Sequence, residues 1–249
     1  MSGRVTYVGH ATALIELAGV RLITDPLLRE RFMHVPRHTE VPDPSIAADI
    51  DAVLISHLHA DHLDPASLRM VGRDVPLIVP DRGGPTLRRR GFGDVTELAP
   101  GASTTVGGLT VTATTAVHDA RRYKFGRHIP ALGYLVESPE RRVYFAGDTD
   151  LFDEMDELAG VDVALLPIAG WGPRVSEGHL DPERAAEAAA IIRPRIVIPI
   201  HWGTFLSRKL LRKIPDALTA APREFAHELE ERAPGVELRV LDPGQSLEL

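Results

Sequence analysis

The stretch Asp51–Asp64, DAVLISHLHADHLD, places the tightest constraint on what this chain can form. Its first part, Ala52–Ser56, is an aliphatic and β-branched run bounded by polar residues, which predicts a buried strand. A lone histidine at a strand end is an ordinary surface residue, but several groups this costly to desolvate, directly behind an apolar strand, indicate a bound cation. The candidate ligands fall within six residues and are His57, His59, Asp61 and His62.

The spacing of these ligands allows for two cations. Alternate residues of an extended segment point the same way, so His57 and His59 can bind one ion together. If the chain then turns, Asp61 and His62 face a different point, where a second ion can lie beside the first. Imidazole and carboxylate ligands without thiolate favour zinc, with manganese and iron as alternatives.

Composition narrows the class of protein. The chain has 249 residues, 44% of them hydrophobic, and no linker, repeat or low-complexity segment, so we expect one domain over 1–249. The formal net charge of −7 argues against nucleic acid as the main partner, and the absence of cysteine excludes disulfides and thiolate metal sites. No apolar run approaches the length of a membrane span, and the N-terminus lacks the apolar core of a signal peptide. We expect a soluble cytoplasmic protein that acts on a small molecule; homo-oligomer formation stays open.

Three further candidate ligands each follow an apolar strand. The predicted strands Leu109–Val117, Arg142–Ala146 and Ile196–Ile200 lead into His118, Asp148 and His201. Ligands delivered from strand ends by rigid sheets can converge on one rim. The shape of a pocket beside that rim would depend on the loops 26–50, 119–131 and 202–221, the last of which we interpret as a mobile flap.

Capping residues elsewhere in the chain predict where helices begin. Asp64-Pro65 predicts the start of a helix that ends near Val71, and Asp181-Pro182 predicts the start of an alanine-rich helix that ends near Ile192. A helix is also expected over 150–159, and a last one over Pro222–Arg232.

Taken together, the motifs resemble those of the metallo-β-lactamase superfamily. Within it the chain is most similar to the branch that holds N-acyl-phosphatidylethanolamine phospholipase D and L-ascorbate-6-phosphate lactonase. The resemblance covers nearly the whole chain and rests on DAVLISHLHADHLD together with His10-Ala11, Thr24-Asp25-Pro26, Phe145–Thr149, His179–Glu183 and Ile200–Phe205.

The resemblance implies an α/β protein of the four-layer αββα sandwich type, with a dinuclear metal site on one edge. Carried over by motif, the first metal would be held by His57, His59 and His118, and the second by Asp61, His62 and His201. Asp148 would bridge both metals, and Asp25 would orient one of the ligands.

The same resemblance implies hydrolysis. Two metals about 3.5–4 Å apart share a bridging water, lower its pKa toward ~7 and so supply hydroxide at neutral pH. That hydroxide would attack a carbonyl carbon or a phosphorus of a small phosphodiester or lactone-type ester. Asp61 can accept the proton of the water, and His179 can donate to the oxyanion or leaving group, although His179 can equally be an exposed residue ahead of a helix cap.

Candidate substrate contacts are fewer. Arg121, Arg122 and Lys124 lie in a basic loop after His118 and can receive a phosphate or carboxylate, although a run of charge is also typical of a solvated face. Trp202 can line the pocket, or it can belong to a core or a subunit interface.

Three alternatives remain open at this point. A nuclease of the same superfamily would need a basic face, which the acidic balance disfavours. Metal analysis and an oxygen-uptake assay would distinguish an iron-dependent oxidoreductase on this scaffold from a hydrolase. Hydrolysis of a panel of phosphodiesters and lactones would distinguish a hydrolase from a non-catalytic metal-binding protein.

Overall fold

The computed structural model describes residues 3–120, 128–171 and 175–249. Arg121, Arg122 and Lys124 therefore lie outside the described residues. The strands are β1 Arg4–Gly9, β2 Thr12–Leu17, β3 Val20–Thr24, β4 Arg31–Phe32, β5 Val35–Pro36, β6 Ala52–Leu54, β7 Leu77–Pro80, β8 Val95–Leu98, β9 Ser103–Val106, β10 Leu109–Ala116, β11 Ala131–Glu137, β12 Arg142–Phe145, β13 Val163–Pro167, β14 Ile196–Ile200, β15 Glu237–Leu238 and β16 Ser246–Glu248. The α-helices are α1 Pro65–Val71, α2 Gly84–Arg88, α3 Pro182–Ile192, α4 Arg208–Lys213 and α5 Ala220–Arg232.

Two seven-stranded sheets form the body of the molecule. The first has the order β16-β1-β2-β3-β6-β7-β8, and the second has the order β15-β14-β13-β12-β11-β10-β9. The short pair β4-β5 forms a separate hairpin. Helices α1 and α2 contribute to a core on the outer face of the first sheet, and α3 and α5 to a core on the outer face of the second. The predicted αββα sandwich is confirmed.

Strand alternation builds three apolar layers from this arrangement. In β2, Ile15 faces the second sheet and Leu14 faces the outer layer; in β12, Phe145 faces the first sheet and Tyr144 faces the helices. Successive side chains of a strand point to opposite faces, so a sheet that is covered on both sides needs apolar residues at both sets of positions. The central strands of both sheets, among them β6, β13 and β14, are therefore buried on both faces and support the sheet edge.

The direction of the strands decides where the polar residues meet. In the first sheet β1, β3 and β6 run the same way, and in the second sheet β10, β12, β13 and β14 do so. Backbone hydrogen bonds join the two sheets at the carboxyl ends of these strands: the His201 amide donates to the His10 carbonyl at 2.7 Å, and the Leu132 amide donates to the Ser56 carbonyl at 2.9 Å. The residues that follow these strands therefore lie at one edge of the sandwich.

The helix starts confirm the capping signals. Asp64 accepts the Ser67 amide at the start of α1, and Asp181 accepts the Arg184 amide at the start of α3, each ahead of a proline.

Two predicted segments differ in the structure. The helix expected over 150–159 is only a 3₁₀ turn, Asp153–Leu158, because Asp150 is paired with Val117 on one side and Gly160, at φ 76°, ends the segment on the other. The expected flap 202–221 holds the short helix α4 and the start of α5. Within the described ranges, no helix has the length and apolarity needed to cross a membrane.

Two buried tyrosines provide a matched test of how the sheets are held together. Tyr134 donates its hydroxyl hydrogen bond across the sandwich to the carbonyl of Ile55 at 2.8 Å. The hydroxyl of Tyr144, equally buried, has no hydrogen-bond partner among the described residues.

We expect Tyr134→Phe to lower the free energy of unfolding by about 1–2 kcal/mol, because it removes a buried hydrogen bond and leaves a carbonyl short of a donor. Tyr144→Phe should leave the free energy of unfolding within about 0.5 kcal/mol of the parent or raise it, because it removes an unpaired polar atom. Urea unfolding of both variants checks this; equal losses would contradict the role of the Tyr134 hydroxyl.

Candidate metal centre

Six strands of like direction end at the candidate centre and place one site residue each just beyond their carboxyl ends: His10 after β1, Asp25 after β3, His57 after β6, His118 after β10, Asp148 after β12 and His201 after β14. His10, Asp25 and His201 have positive φ values of 56°, 35° and 64°. This region is costly for residues other than glycine and persists only where the surroundings impose it. Here the His10 amide donates to Thr204 Oγ1 at 2.7 Å, and the Asp25 amide donates to the Leu54 carbonyl at 2.9 Å.

One group at the edge consists of three imidazoles. His59 Nδ1 lies 2.9 Å from His57 Nε2 and 3.0 Å from His118 Nε2. His118 Nδ1 lies 2.8 Å from the Gly178 carbonyl, which can only accept, so Nδ1 carries the proton and Nε2 keeps its lone pair. The ligand atoms of His57, His59 and His118 all lie within 4.8 Å of one another.

A second group lies beside the first. Asp61 Oδ2 is 3.6 Å from His62 Nε2 and 3.8 Å from His201 Nε2. His10 completes this group, with its Nε2 at 3.0 Å from the same carboxylate oxygen. These four ligand atoms again lie within 4.8 Å of one another.

Asp148 stands between the two groups. Its Oδ2 lies 3.1 Å from His62 Nε2 and 3.9 Å from His57 Nε2, and its Oδ1 lies 3.5 Å from His201 Nε2. His179 approaches from outside, with Nε2 at 3.4 Å from Asp148 Oδ2. Asp148 is thus the one carboxylate within 4 Å of imidazoles from both groups among the described residues.

Asp25 acts through His62 and does not face the centre directly. It is fully buried, accepts hydrogen bonds from the amide and hydroxyl of Ser56, and lies 2.7 Å from His62 Nδ1. A carboxylate at Nδ1 holds a proton there and fixes the ring so that Nε2 faces Asp61 and Asp148.

Burial and neighbouring charges set the protonation of the cluster. Burial lowers the pKa of His10 to about 3, that of His118 to about 4 and that of His57 well below its ordinary value, so these imidazoles are neutral at pH 7. Burial acts in the same direction on His62, but the carboxylates of Asp148, Asp61 and Asp25 outweigh it and raise the pKa of His62 well above its ordinary value.

The centre contains buried polar atoms that the described residues leave without a hydrogen-bond partner. They are His62 Nε2, Asp148 Oδ1 and both ring nitrogens of His201. An unmet buried donor or acceptor costs about 1–3 kcal/mol, so a cluster of them calls for a ligand. Nitrogen and oxygen lone pairs that converge at these distances fit a divalent cation.

Sequence reasoning did not assign a role to His10 or Trp171. Both contact Asp61 Oδ2, His10 through Nε2 and Trp171 through an indole N–H donated at 2.7 Å. The position of His10 directly after β1 is a usable signal, since other site residues are placed in the same way. Trp171, 40% exposed in a loop, offers none.

Two hollows adjoin the centre, one beside each group of ligand atoms. A cavity of about 850 Å³ is lined by His10, Trp171 and His201 at its inner end, and Trp202 is part of its wall. Trp202 also donates its indole N–H to the Pro199 carbonyl at 2.9 Å, so it serves packing as well. A shallower cleft of about 500 Å³ is lined by His118 and by residues on either side of the segment 121–127.

The comparisons with known proteins agree with this geometry. Residues 20–202 match the family model of the beta-lactamase superfamily domain. A UPF0173 metal-dependent hydrolase of Methanopyrus kandleri is 34% identical over 251 residues, which covers 98% of this chain and 99% of that protein. An N-acyl-phosphatidylethanolamine-hydrolyzing phospholipase D 1 of Caenorhabditis elegans is 32% identical over 226 residues, which covers 80% of this chain and 64% of that protein.

A solved structure shows the same architecture. Igni18, a metallo hydrolase from Ignicoccus hospitalis, superposes with a TM-score of 0.75 at 26% identity, covering 100% of this chain and 99% of that one. The family match spans well over half of the residues and includes the histidine-rich strand end, Asp148 and His201. The chain belongs to the metallo-β-lactamase superfamily.

Proposed function

We propose that this protein is a metal-dependent hydrolase that binds two divalent metal ions, zinc by preference, and cleaves a small phosphodiester or lactone-type ester. The observation that carries the proposal is the convergence of imidazole nitrogens and carboxylate oxygens at the sheet edge, where the described residues leave buried atoms of His62, Asp148 and His201 without a hydrogen-bond partner. Relatives that are named metal-dependent hydrolase and phospholipase D support hydrolysis as the reaction. The absence of cysteine leaves nitrogen and oxygen ligands, which suit zinc first.

The two groups of ligand atoms divide the metal binding between them. The first ion would be held by His57, His59 and His118, and the second by Asp61, His62 and His201, with Asp148 shared. When bound at these residues, the divalent ions would polarise the scissile ester and would lower the pKa of a bound water, the chemistry that supplies hydroxide at neutral pH.

Asp61 is better suited to metal binding than to proton transfer. Burial favours its neutral form, but the charge of His62, the hydrogen bond with His10 and the nearby His201 imidazole outweigh burial and hold the pKa of Asp61 well below its ordinary value. Its Oδ2 also already accepts the indole N–H of Trp171. A carboxylate with so low a pKa, whose oxygen already accepts a hydrogen bond, is a poor general base.

His179 is placed to donate a proton. Burial disfavours its charged form, but the hydrogen bond to Asp148 and the charge of Asp148 outweigh burial and raise the pKa of His179 above its ordinary value. Ser176 contacts its Nδ1 through both the hydroxyl, at 3.0 Å, and the carbonyl, at 3.2 Å. We assign His179 as the general acid that protonates the leaving oxygen.

The alternatives separate experimentally. Zinc-dependent turnover of a phosphodiester or lactone panel supports a hydrolase, whereas turnover that needs iron and consumes oxygen would indicate an oxidoreductase. Stoichiometric metal without turnover of any substrate would indicate a binding protein. A contact between Arg121, Arg122 or Lys124 and an anionic part of the substrate stays a prediction; the cleft on the His118 side is where we expect it.

Asp148→Asn tests the shared carboxylate. We expect the variant to lose most of its bound metal and its activity together, because one charged ligand between two cations is replaced by a neutral amide. Metal per chain after dialysis and hydrolysis of the panel are measured side by side. Asp150→Asn is the matched control, since Asp150 pairs with Arg184 outside the cluster and its loss should leave metal content unchanged. Activity that survives in Asp148→Asn with full metal content would refute the shared role.

Metal uptake should depend on pH with a defined sign. The pKa of His62 is raised in the metal-free protein, so both ring nitrogens carry a proton at neutral pH. A metal that binds Nε2 must therefore displace the proton on that nitrogen. We therefore expect release of about one proton from His62 near pH 7 and an affinity that increases as the pH rises. Calorimetric titration with zinc in buffers of different ionisation enthalpy measures the proton count. Zinc binding with no proton release, or with an affinity that falls as the pH rises, would contradict this assignment.

His179→Gln tests the general acid. For an alkyl ester or phosphodiester with a poor leaving group we expect kcat to fall about 100-fold or more, because the departing alkoxide is no longer protonated. A nitrophenyl substrate, whose leaving group departs as a stable anion, should lose little. The control His227→Gln changes an exposed histidine on α5 and should match the parent on both substrates. Equal losses on both substrates would exclude the role in leaving-group protonation.

A further inference from the structure

The larger cavity adjoins the metal centre. It has a volume of about 850 Å³, and His10 and His201 line its inner end. Sites that hold small organic molecules commonly have volumes of about 300–1,000 Å³. A molecule with its reacting bond at the centre therefore has room for a sizeable group on this side.

The inner walls of the cavity are aromatic. The rings of Trp171 and Phe205 lie 6.3 Å apart, and Phe32 packs against Trp171 at 5.2 Å. Phe205 also meets the His10 ring edge-on at 5.8 Å. Aromatic side chains present large apolar surfaces to whatever lies beside them.

A cover segment, residues 207–219, closes the cavity from above. It contributes Leu210, Ile214 and Leu218 to the lining, yet none of its residues is buried. None of these three side chains belongs to any of the apolar core clusters formed by the described residues. The segment thus presents apolar side chains to the cavity and not to a protein core.

The base of the cover segment is held at both ends. The carbonyl of Leu206 lies 2.8 Å from His38 Nε2. Gly203 has a φ of 65°, and a Cβ at this position would come within 2.8 Å of the Leu218 carbonyl. The segment therefore returns to its starting point over the cavity, as a lid does.

The charges around the cavity disfavour an anionic occupant. The described lining residues include no lysine or arginine, and the charged side chains at the outer end are carboxylates. Two of these, Glu183 and Glu228, pair with Arg232, and Asp216 pairs with Arg223. A phosphate or carboxylate placed in the cavity would find no cationic partner among the described lining residues.

We propose that this cavity binds an uncharged apolar substituent of the substrate, an alkyl or aryl group, with the cover segment closing over it. This proposal rests on the proposed function, because it places the ester at the metal centre and the apolar group between Trp171, Phe205 and Leu210. The favoured substrate is then an ester with a hydrophobic substituent, and a compact sugar phosphate is disfavoured. Burial of the apolar group between the cavity walls and the lid supplies the binding energy.

Binding is tested separately from turnover. Zinc-loaded protein is titrated calorimetrically with uncharged γ-lactams that carry linear alkyl chains of rising length, the ring amide replacing the ester so that the probe is not consumed. We expect Kd to fall about fourfold for each added methylene until the cavity is filled. The same lactams ending in a carboxylate should lose this gain.

Two variants of α4 form a matched pair. Leu210→Glu places a carboxylate in the apolar roof and should abolish the dependence of Kd on chain length. Leu211→Glu makes the same change one residue further on, at a position that does not line the cavity, and should keep the parental dependence. The chain-length series on the parent protein stands by itself if Leu210→Glu fails to fold.

The outcomes separate this inference from the proposed function. Binding that is independent of chain length, or equally strong for the carboxylate-terminated lactams, overturns the inference even if lactones are hydrolysed. Chain-length-dependent binding that Leu210→Glu abolishes supports the inference, and failure to hydrolyse the matching lactones would then count against the proposed function alone.

Discussion

The arrangement depends on one constraint, which is that the strands bearing the site residues run in the same direction in each of the two facing sheets. Their carboxyl ends reach a single edge, where the His201 amide bonds to the His10 carbonyl and the two sheets are joined. Because the strands β1, β3 and β14 are almost entirely buried, the surrounding packing can hold His10, Asp25 and His201, which follow them, at positive φ. Polar groups far apart in the sequence therefore meet with little freedom to separate.

Electrostatics at that edge follows from burial. Burial keeps His10, His57 and His118 neutral even where a carboxylate lies nearby. Only at His62 do three carboxylates together outweigh burial and raise the pKa, so that a proton and an incoming cation compete for its ring nitrogen. The described residues leave buried atoms of His62, Asp148 and His201 without a hydrogen-bond partner, and a bound cation would satisfy them.

The two sides of the centre differ in chemistry. The cavity beside His201 has aromatic and aliphatic side chains at the centre and under its cover segment, with carboxylates elsewhere, and its described lining has no cationic side chain. The cleft beside His118 is shallower, and its described lining includes Asp119, His128 and Glu177. A substrate bound at the centre would therefore meet different surroundings on its two sides.

The sequence by itself determined the features that depend on residues close together in the chain. These are the buried strand ahead of His57, the helices that begin at the caps Asp64 and Asp181, and the histidine-rich motif, because local periodicity and capping residues predict them. With the resemblance it also predicted the αββα sandwich correctly. Only the tertiary structure decided that Trp171 and His10 share one oxygen of Asp61, that the short helix α4 before α5 lines a cavity, and that 150–159 is too confined for an α-helix. Such features depend on which segments pack together across long separations in the chain, and the periodicity of a segment does not report its distant partners.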